Sequence, residues 1–167
     1  MEATPINLDG INALVQSIQT ANKFFLDQTQ RQVNTALTLR NWVIGYYIVE
    51  YEQKGEDRAA YGKRLVRNIS DLLRKAGIKG LSFTILQACK QFYLAYPQIV
   101  QSLPEQLQIT DRQSLEIIQT VSEQFNIRQN PVDILLGRLS FTHFIELIKI
   151  DTSLKRLFYE TEAIVNN

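Results

Sequence analysis

Residues 58–97 read RAAYGKRLVRNISDLLRKAGIKGLSFTILQACKQFYLAYP. This stretch decides the fold. At about 100° per residue, Tyr61, Leu65, Val66, Ile69, Leu72, Leu73 and Ala76 fall on one side of a helix over Ala59–Ala76. Lys63, Arg64, Arg67, Arg74 and Lys75 fall on the other. Gly77 suits the left-handed residue that ends helices, and Ile78-Lys79-Gly80-Leu81 makes a short turn. Ser82 is then a natural N-cap for a second helix over Phe83–Ala95, which Pro97 stops. On that helix Ile85, Leu86, Cys89, Phe92, Tyr93 and Tyr96 share an inward face, while Thr84, Gln87, Lys90 and Gln91 face outward.

The same helical spacing extends to both sides. Between Leu8 and Lys54 there is no proline, and the only glycines are Gly10 and Gly45. Ile11, Leu14, Val15 and Ile18, then Val33, Leu37, Trp42, Ile44 and Ile48, recur at helix period. They predict two long helices, or one long bent helix with a break near Asp27–Thr29. After Pro97, Ser102-Leu103-Pro104 and Asn130-Pro131 read as turns, and Leu115–Phe125 as a helix. Ser140 caps a helix over Phe141–Lys149, and Asp151 or Ser153 caps a last one running through Ile164. With 7 glycines and 4 prolines in 167 residues and no alternating apolar pattern, the expected class is all-α. The expected organisation is one helical domain over 1–167. Long N-terminal helices (1–55) pack with a helix-turn-helix unit (56–97), a variable linker or helix (98–139) and two C-terminal helices (140–167).

The net charge of +1 disguises an uneven distribution. Residues 1–57 carry 4 basic and 7 acidic side chains, and residues 96–167 carry 6 and 9. Residues 58–95 hold 8 basic residues (Arg58, Lys63, Arg64, Arg67, Arg74, Lys75, Lys79 and Lys90) and one acid, Asp71. Such a local field attracts polyanions whatever the total charge. A helix, a glycine-bearing turn and a capped second helix form the layout of a DNA-binding helix-turn-helix. Glutamines 87 and 91 can pair with adenine, Thr84 can meet a thymine methyl, and Lys90 can reach phosphate or guanine. The plain structural alternative is that a basic face is the solvated side of an amphipathic helix.

Signs of catalysis are weak. The single cysteine, Cys89, excludes a disulfide framework and any multi-cysteine metal site. His143, the single histidine, has no second imidazole to work with. Glu52-Gln53-Lys54 matches half of a metal-dependent nuclease motif, but on a helix end, with the nearest upstream aspartate at Asp27. There is no glycine-rich phosphate loop. Neither a signal peptide nor a membrane span is expected. The implied setting is the cytoplasm, with no cofactor and no small-molecule substrate.

Several blocks resemble the N-terminal domain of YhcG-like proteins. They are Thr35-Ala36-Leu37 through Trp42, Ile44-Gly45, Ile48-Val49-Glu50, Ala60-Tyr61-Gly62-Lys63-Arg64-Leu65 and Gln91-Phe92-Tyr93 with Tyr96-Pro97. Leu139-Ser140-Phe141-Thr142-His143-Phe144, Glu146-Leu147-Ile148, Asp151 and Arg156-Leu157-Phe158-Tyr159-Glu160 complete the match, from about residue 10 to the end. The resemblance implies a bacterial two-part protein: a helical domain that contacts DNA, followed by a PDDEXK-type nuclease domain that alone would need Mg2+. It implies work in repair, recombination or defence. Family members usually continue into a Trp-Ser motif, and this sequence stops at Asn166-Asn167, short of it. The helix after the turn is often more basic in relatives, where Thr84 and Gln87 stand here.

Two functional readings follow. The first is a DNA-binding module that brings a nuclease to duplex or branched DNA. Its expected contact residues are Arg58, Lys63, Arg64, Arg67, Arg74, Lys75, Lys79, Thr84, Gln87, Lys90 and Gln91. The second is a homodimerisation scaffold, built on the apolar-striped N-terminal helices, that assembles the nuclease without touching DNA. A stand-alone enzyme is the least supported reading.

Overall fold

The computed structural model describes residues 8–54, 58–103 and 130–166. Its described residues form six α-helices and no strand: α1 (Leu8–Lys54), α2 (Arg58–Lys75), α3 (Phe83–Ala95), α4 (Val132–Arg138), α5 (Phe141–Leu147) and α6 (Ser153–Val165). A 3-10 turn, Pro97–Ser102, follows α3. The fold is all-α. The helix expected over Leu115–Phe125 lies outside the described residues. No helix among the described residues is long and apolar enough to cross a membrane.

Helix α1 runs unbroken through Asp27–Thr29. Thr29 Oγ1 donates to the carbonyl of Phe25 at 2.9 Å, as Thr20 does to Gln16 at 2.9 Å and Ser17 to Ala13 at 3.0 Å. Each hydroxyl bonds one turn back, so these polar residues are accommodated without opening the helix. The chain divides into two compact units, Met1–Val33 and Asn34–Asn167.

The main core lies in the second unit. Trp42, Val43, Tyr46 and Val49 of α1 meet Phe92, Tyr93 and Tyr96 at the end of α3 and Phe144 of α5. The rings of Phe92 and Phe144 lie 4.6 Å apart, and those of Tyr96 and Phe144 5.0 Å apart edge to face. Trp42 Nε1 donates to the Tyr96 carbonyl at 2.8 Å, satisfying a fully buried indole. Helices α1 and α3 touch backbone to backbone at Gly45. A Cβ there would lie 2.0 Å from the Cys89 carbonyl oxygen, so only glycine allows this approach. A smaller cluster of Ile48, Val66 and Leu86 ties α2 to α1 and α3.

The described parts of the 98–139 segment, residues 98–103 and 130–139, contribute to the core. Ile99, Val100, Leu103, Leu135, Leu136 and Leu139 are all buried. Helix α4 was not predicted, because its seven residues begin straight after Pro131 and include Gly137. Thr35 Oγ1 of α1 donates to the Leu136 carbonyl at 2.9 Å and holds α4 in place. Three further expectations need correction. Leu72 and Ala76 are exposed, because α2 touches the body along a narrow line. Helix α5 ends at Leu147 rather than Lys149, its last carbonyls closing shorter turns. The N-cap of α6 is Thr152, not Asp151 or Ser153, and it makes no side-chain cap bond.

Candidate nucleic-acid interface

At about 100° per residue Arg64, Arg67, Arg74 and Lys75 fall within an arc of about 100°, so they lie along one side of α2. Arg64, Arg67, Arg74 and Lys75 are exposed, and Lys79 in the following turn is exposed too. Arg58 and Lys63 belong to the same helix, but their side chains lie outside what the structure describes. The Arg67 guanidinium sits over the Phe83 ring, 5.4 Å from its centre. That contact fixes an otherwise free side chain at the start of α3. Arg74 Nη2 lies 2.9 Å from Asp71 Oδ1, an exposed pair one turn apart.

The turn is built as its sequence demands. Gly77 has φ +79°, its N–H donates to Arg74 O at 3.1 Å, and the Ile78 N–H donates to Leu73 O at 3.0 Å. These paired bonds close the helix in a Schellman motif. Gly80 also takes a positive φ, +83°. Ser70 Oγ donates to Leu81 O at 3.3 Å, and Ser82 Oγ accepts the Ile85 N–H at 3.4 Å. Lys79 is therefore carried on a turn fixed at both ends.

Helix α3 offers less. Leu86, Ala88, Cys89, Phe92 and Tyr93 are buried, with Ile85 half-buried beside them. Thr84 and Gln91 are exposed and Gln87 is half-buried, a narrow polar strip. Lys90 does not join it. Its Nζ is ion-paired with Glu52 Oε2 of α1, and both side chains are largely covered. The structure thus gathers Arg64, Arg67, Arg74, Lys75 and Lys79 on α2 and its turn, and sets Lys90 apart. Nothing local in the sequence announces the Lys90–Glu52 pair, whose members stand 38 positions apart.

The remaining reactive groups serve the fold. Burial pushes the Cys89 thiol up to about 12, so it stays protonated and inert. His143 Nδ1 accepts the Ser140 N–H at 3.0 Å and caps α5 from its third residue. Glu160 of α6 is buried, and sequence reasoning overlooked it. It accepts Tyr96 Oη at 3.0 Å and Asn130 Nδ2 at 2.8 Å, beside a shallow cavity that Arg156, Gln98 and Ser153 help to line. Burial raises its carboxyl above the usual range, against the pull of the Asn130 and Tyr96 hydrogen bonds and the charge of Arg156. Burial also raises the Tyr96 hydroxyl, which the Glu160 charge raises further. Among the described residues no three His, Cys, Asp or Glu side chains come together to hold a metal ion.

Comparison with known proteins adds an independent line. Residues 14–123 match the model of the DUF1016 N-terminal domain. Over 162 residues the chain is 33% identical to "Putative nuclease YhcG" of Escherichia coli (strain K12). That alignment covers 93% of this chain and 40% of the relative, so the chain spans well under half of the relative's length. No solved structure matches the chain. On the family match over most of its length, the chain belongs to the YhcG-like family, as a DUF1016 N-terminal domain.

Proposed function

We propose that this domain holds DNA for a nuclease, gripping the phosphate backbone with the solvent face of α2 and the turn that follows. One observation carries the reading: Arg64, Arg67, Arg74, Lys75 and Lys79 are exposed within sixteen residues of chain, with Asp71 the single acid among them. Guanidinium and ammonium groups so arranged can each displace a counterion from a phosphate. Their number and spacing favour backbone gripping over base reading. The strip of Thr84, Gln87 and Gln91 could add base contacts only along one edge of α3. Lys63 extends the face by sequence, Arg58 starts the helix on its other side, and Lys90 contributes through its Glu52 pair to positioning α3. Kinship with a protein named as a nuclease supports nucleic acid as the partner.

The chemistry of cleavage is assigned to the part of the longer protein beyond this chain, as a PDDEXK-type, Mg2+-dependent nuclease acting on cytoplasmic DNA.

The test is titration of duplex and branched DNA at several salt concentrations. Four or five phosphate contacts should give a slope of log affinity against log salt near −4, at about −0.9 per contact. Reversal of Arg64, Arg67 and Lys75 to Glu should abolish binding. An affinity that ignores salt, or survives this triple reversal, overturns the proposal and leaves the scaffold reading standing.

A further inference from the structure

The first compact unit, Met1–Val33, carries its apolar side chains in the open. Ile11, Leu14, Ile18 and Phe25 are 46%, 59%, 59% and 65% exposed. With Ala21 they occupy successive a and d positions of a heptad, the spacing of a coiled-coil seam. Val15, Leu26 and Val33, also exposed, widen the stripe to an arc of about 140°. Among the described residues nothing in the chain covers it. A contiguous apolar stripe of this size on a helix marks an interaction surface, and a lone helix in water gains most of its stability from covering such a face.

The charges decide the occupant. Residues 8–33 carry Asp9, Lys23, Asp27 and Arg31, so the segment is neutral. In the heptad frame Asp9, Lys23 and Asp27 fall on the outer f and c positions, away from the seam. The flanking e and g positions, where charge selects a different partner or repels an identical one, hold Gly10, Val15, Ser17, Asn22, Phe24 and Thr29. Arg31, beyond the last seam residue, is the one charge at such a position. A second copy therefore meets no repulsion along the seam, and a foreign acidic or basic helix finds nothing to recognise. With roughly half of each large apolar side chain available, two copies would cover on the order of 1,200 Å², the lower edge of a stable interface.

We infer that residues 11–25 of α1 form a homotypic docking surface, on which two copies of this chain pair seam to seam. The inference uses no residue of the α2 face, so either can fail without the other.

Sedimentation equilibrium of the 167-residue chain, from low to high micromolar, tests it. The mass should rise from 19.3 kDa towards twice that value. Ile18→Glu, at an exposed position, removes no core contact and should weaken pairing at least ~10-fold by setting a charge in the seam. Circular dichroism of this variant checks that the second unit stays folded. Ile18 is the midpoint of the seam and faces its own copy whichever way the two helices run. Ile18→Cys should therefore cross-link on oxidation and Lys23→Cys, on the outer side, should not; Cys89 is buried and does not compete. A monomer at every concentration, association indifferent to Ile18→Glu, or equal cross-linking at both sites would overturn the inference.

Discussion

Helices α2 and α3 are adjacent, amphipathic and joined by one turn, yet they are held in opposite ways. Helix α3 buries five side chains, three of them (Leu86, Cys89 and Phe92) completely. It is pressed by α1 at Gly45 and by α5 through Phe92, whose ring lies 5.6 Å from Phe141 and 4.6 Å from Phe144. Among the side chains described on α2, Val66 alone is fully buried. This difference decides where charge can go. On a helix enclosed from two sides an ammonium group needs a partner, and Lys90 has Glu52. A helix attached along a single line leaves its outer face in water, where cations cost little. An exposed cationic face is thus affordable on α2 because the core asks so little of it.

The comparison breaks first at Gly45. Alanine is ordinarily the better helix former by about 1 kcal/mol. Here its Cβ would meet the Cys89 carbonyl oxygen at 2.0 Å and carbon at 2.6 Å, both backbone atoms that cannot swing away. Gly45→Ala should destabilise by about 3 kcal/mol as α1 and α3 are forced apart. Chemical denaturation would measure the loss, with a shift in Trp42 emission reporting the disturbed core. Val66→Ala, the matching change on α2, should cost about 2 kcal/mol, from the two buried carbons it removes and the cavity they leave. Trp42 emission should not move. If both variants disturb Trp42 equally, the two helices are not held independently and the contrast fails.

What the sequence made legible was local. Gly77, Ser82 and Pro97 punctuate α2 and α3 with chemistry readable one residue at a time, and the structure places a Schellman turn, an N-cap and a helix end there. The all-α class followed from the same spacing. Long-range partners were illegible. No pattern within α3 shows that Lys90 turns to Glu52, or that Glu160 meets Tyr96 and Asn130, 64 and 30 positions away. Leu72 looked like core because periodicity reports a face, not how much of that face a neighbour covers. Helix α4 was missed because seven residues give too short a window for a period of 3.6. Of the proposed interface, the charged run on α2 was visible in the sequence, whereas how much of α3 stands open to solvent depended on burial.

Glu160 extends the contrast to pH. Its carboxyl is raised above 4.5 by burial in the fold, so between its unfolded and folded values the native chain holds a proton that the unfolded chain has released. Stability therefore falls as pH rises through that window and stays lower above it. Glu160→Gln removes the titration. Thermal unfolding of the two proteins from acid to neutral pH should show the native chain losing more stability than the variant. Parallel curves would mean that the carboxyl is better solvated than its 5% exposure implies. The α2 face lies outside this network, so DNA affinity should track only its own charges over the same range.

The smallest change tests the α2 face most directly. Asp71 and Arg74 are paired, but both side chains are more than half exposed, so Asp71→Asn should alter stability by less than about 0.5 kcal/mol. Its effect on DNA should be a gain. The substitution removes the single acid from residues 58–95 and frees the Arg74 guanidinium for phosphate. One added contact steepens the salt slope by up to about 0.9 and raises affinity several-fold at low salt. Loss-of-charge variants weaken polyanion binding wherever they lie, through the general field. Removing an acid raises affinity through that field too, so the steeper salt slope, with stability unchanged, is the result that places DNA at Arg74 itself. If affinity and slope stay put while Arg64→Glu still weakens binding, DNA keeps to the first turns of α2 and the grip ends before Asp71.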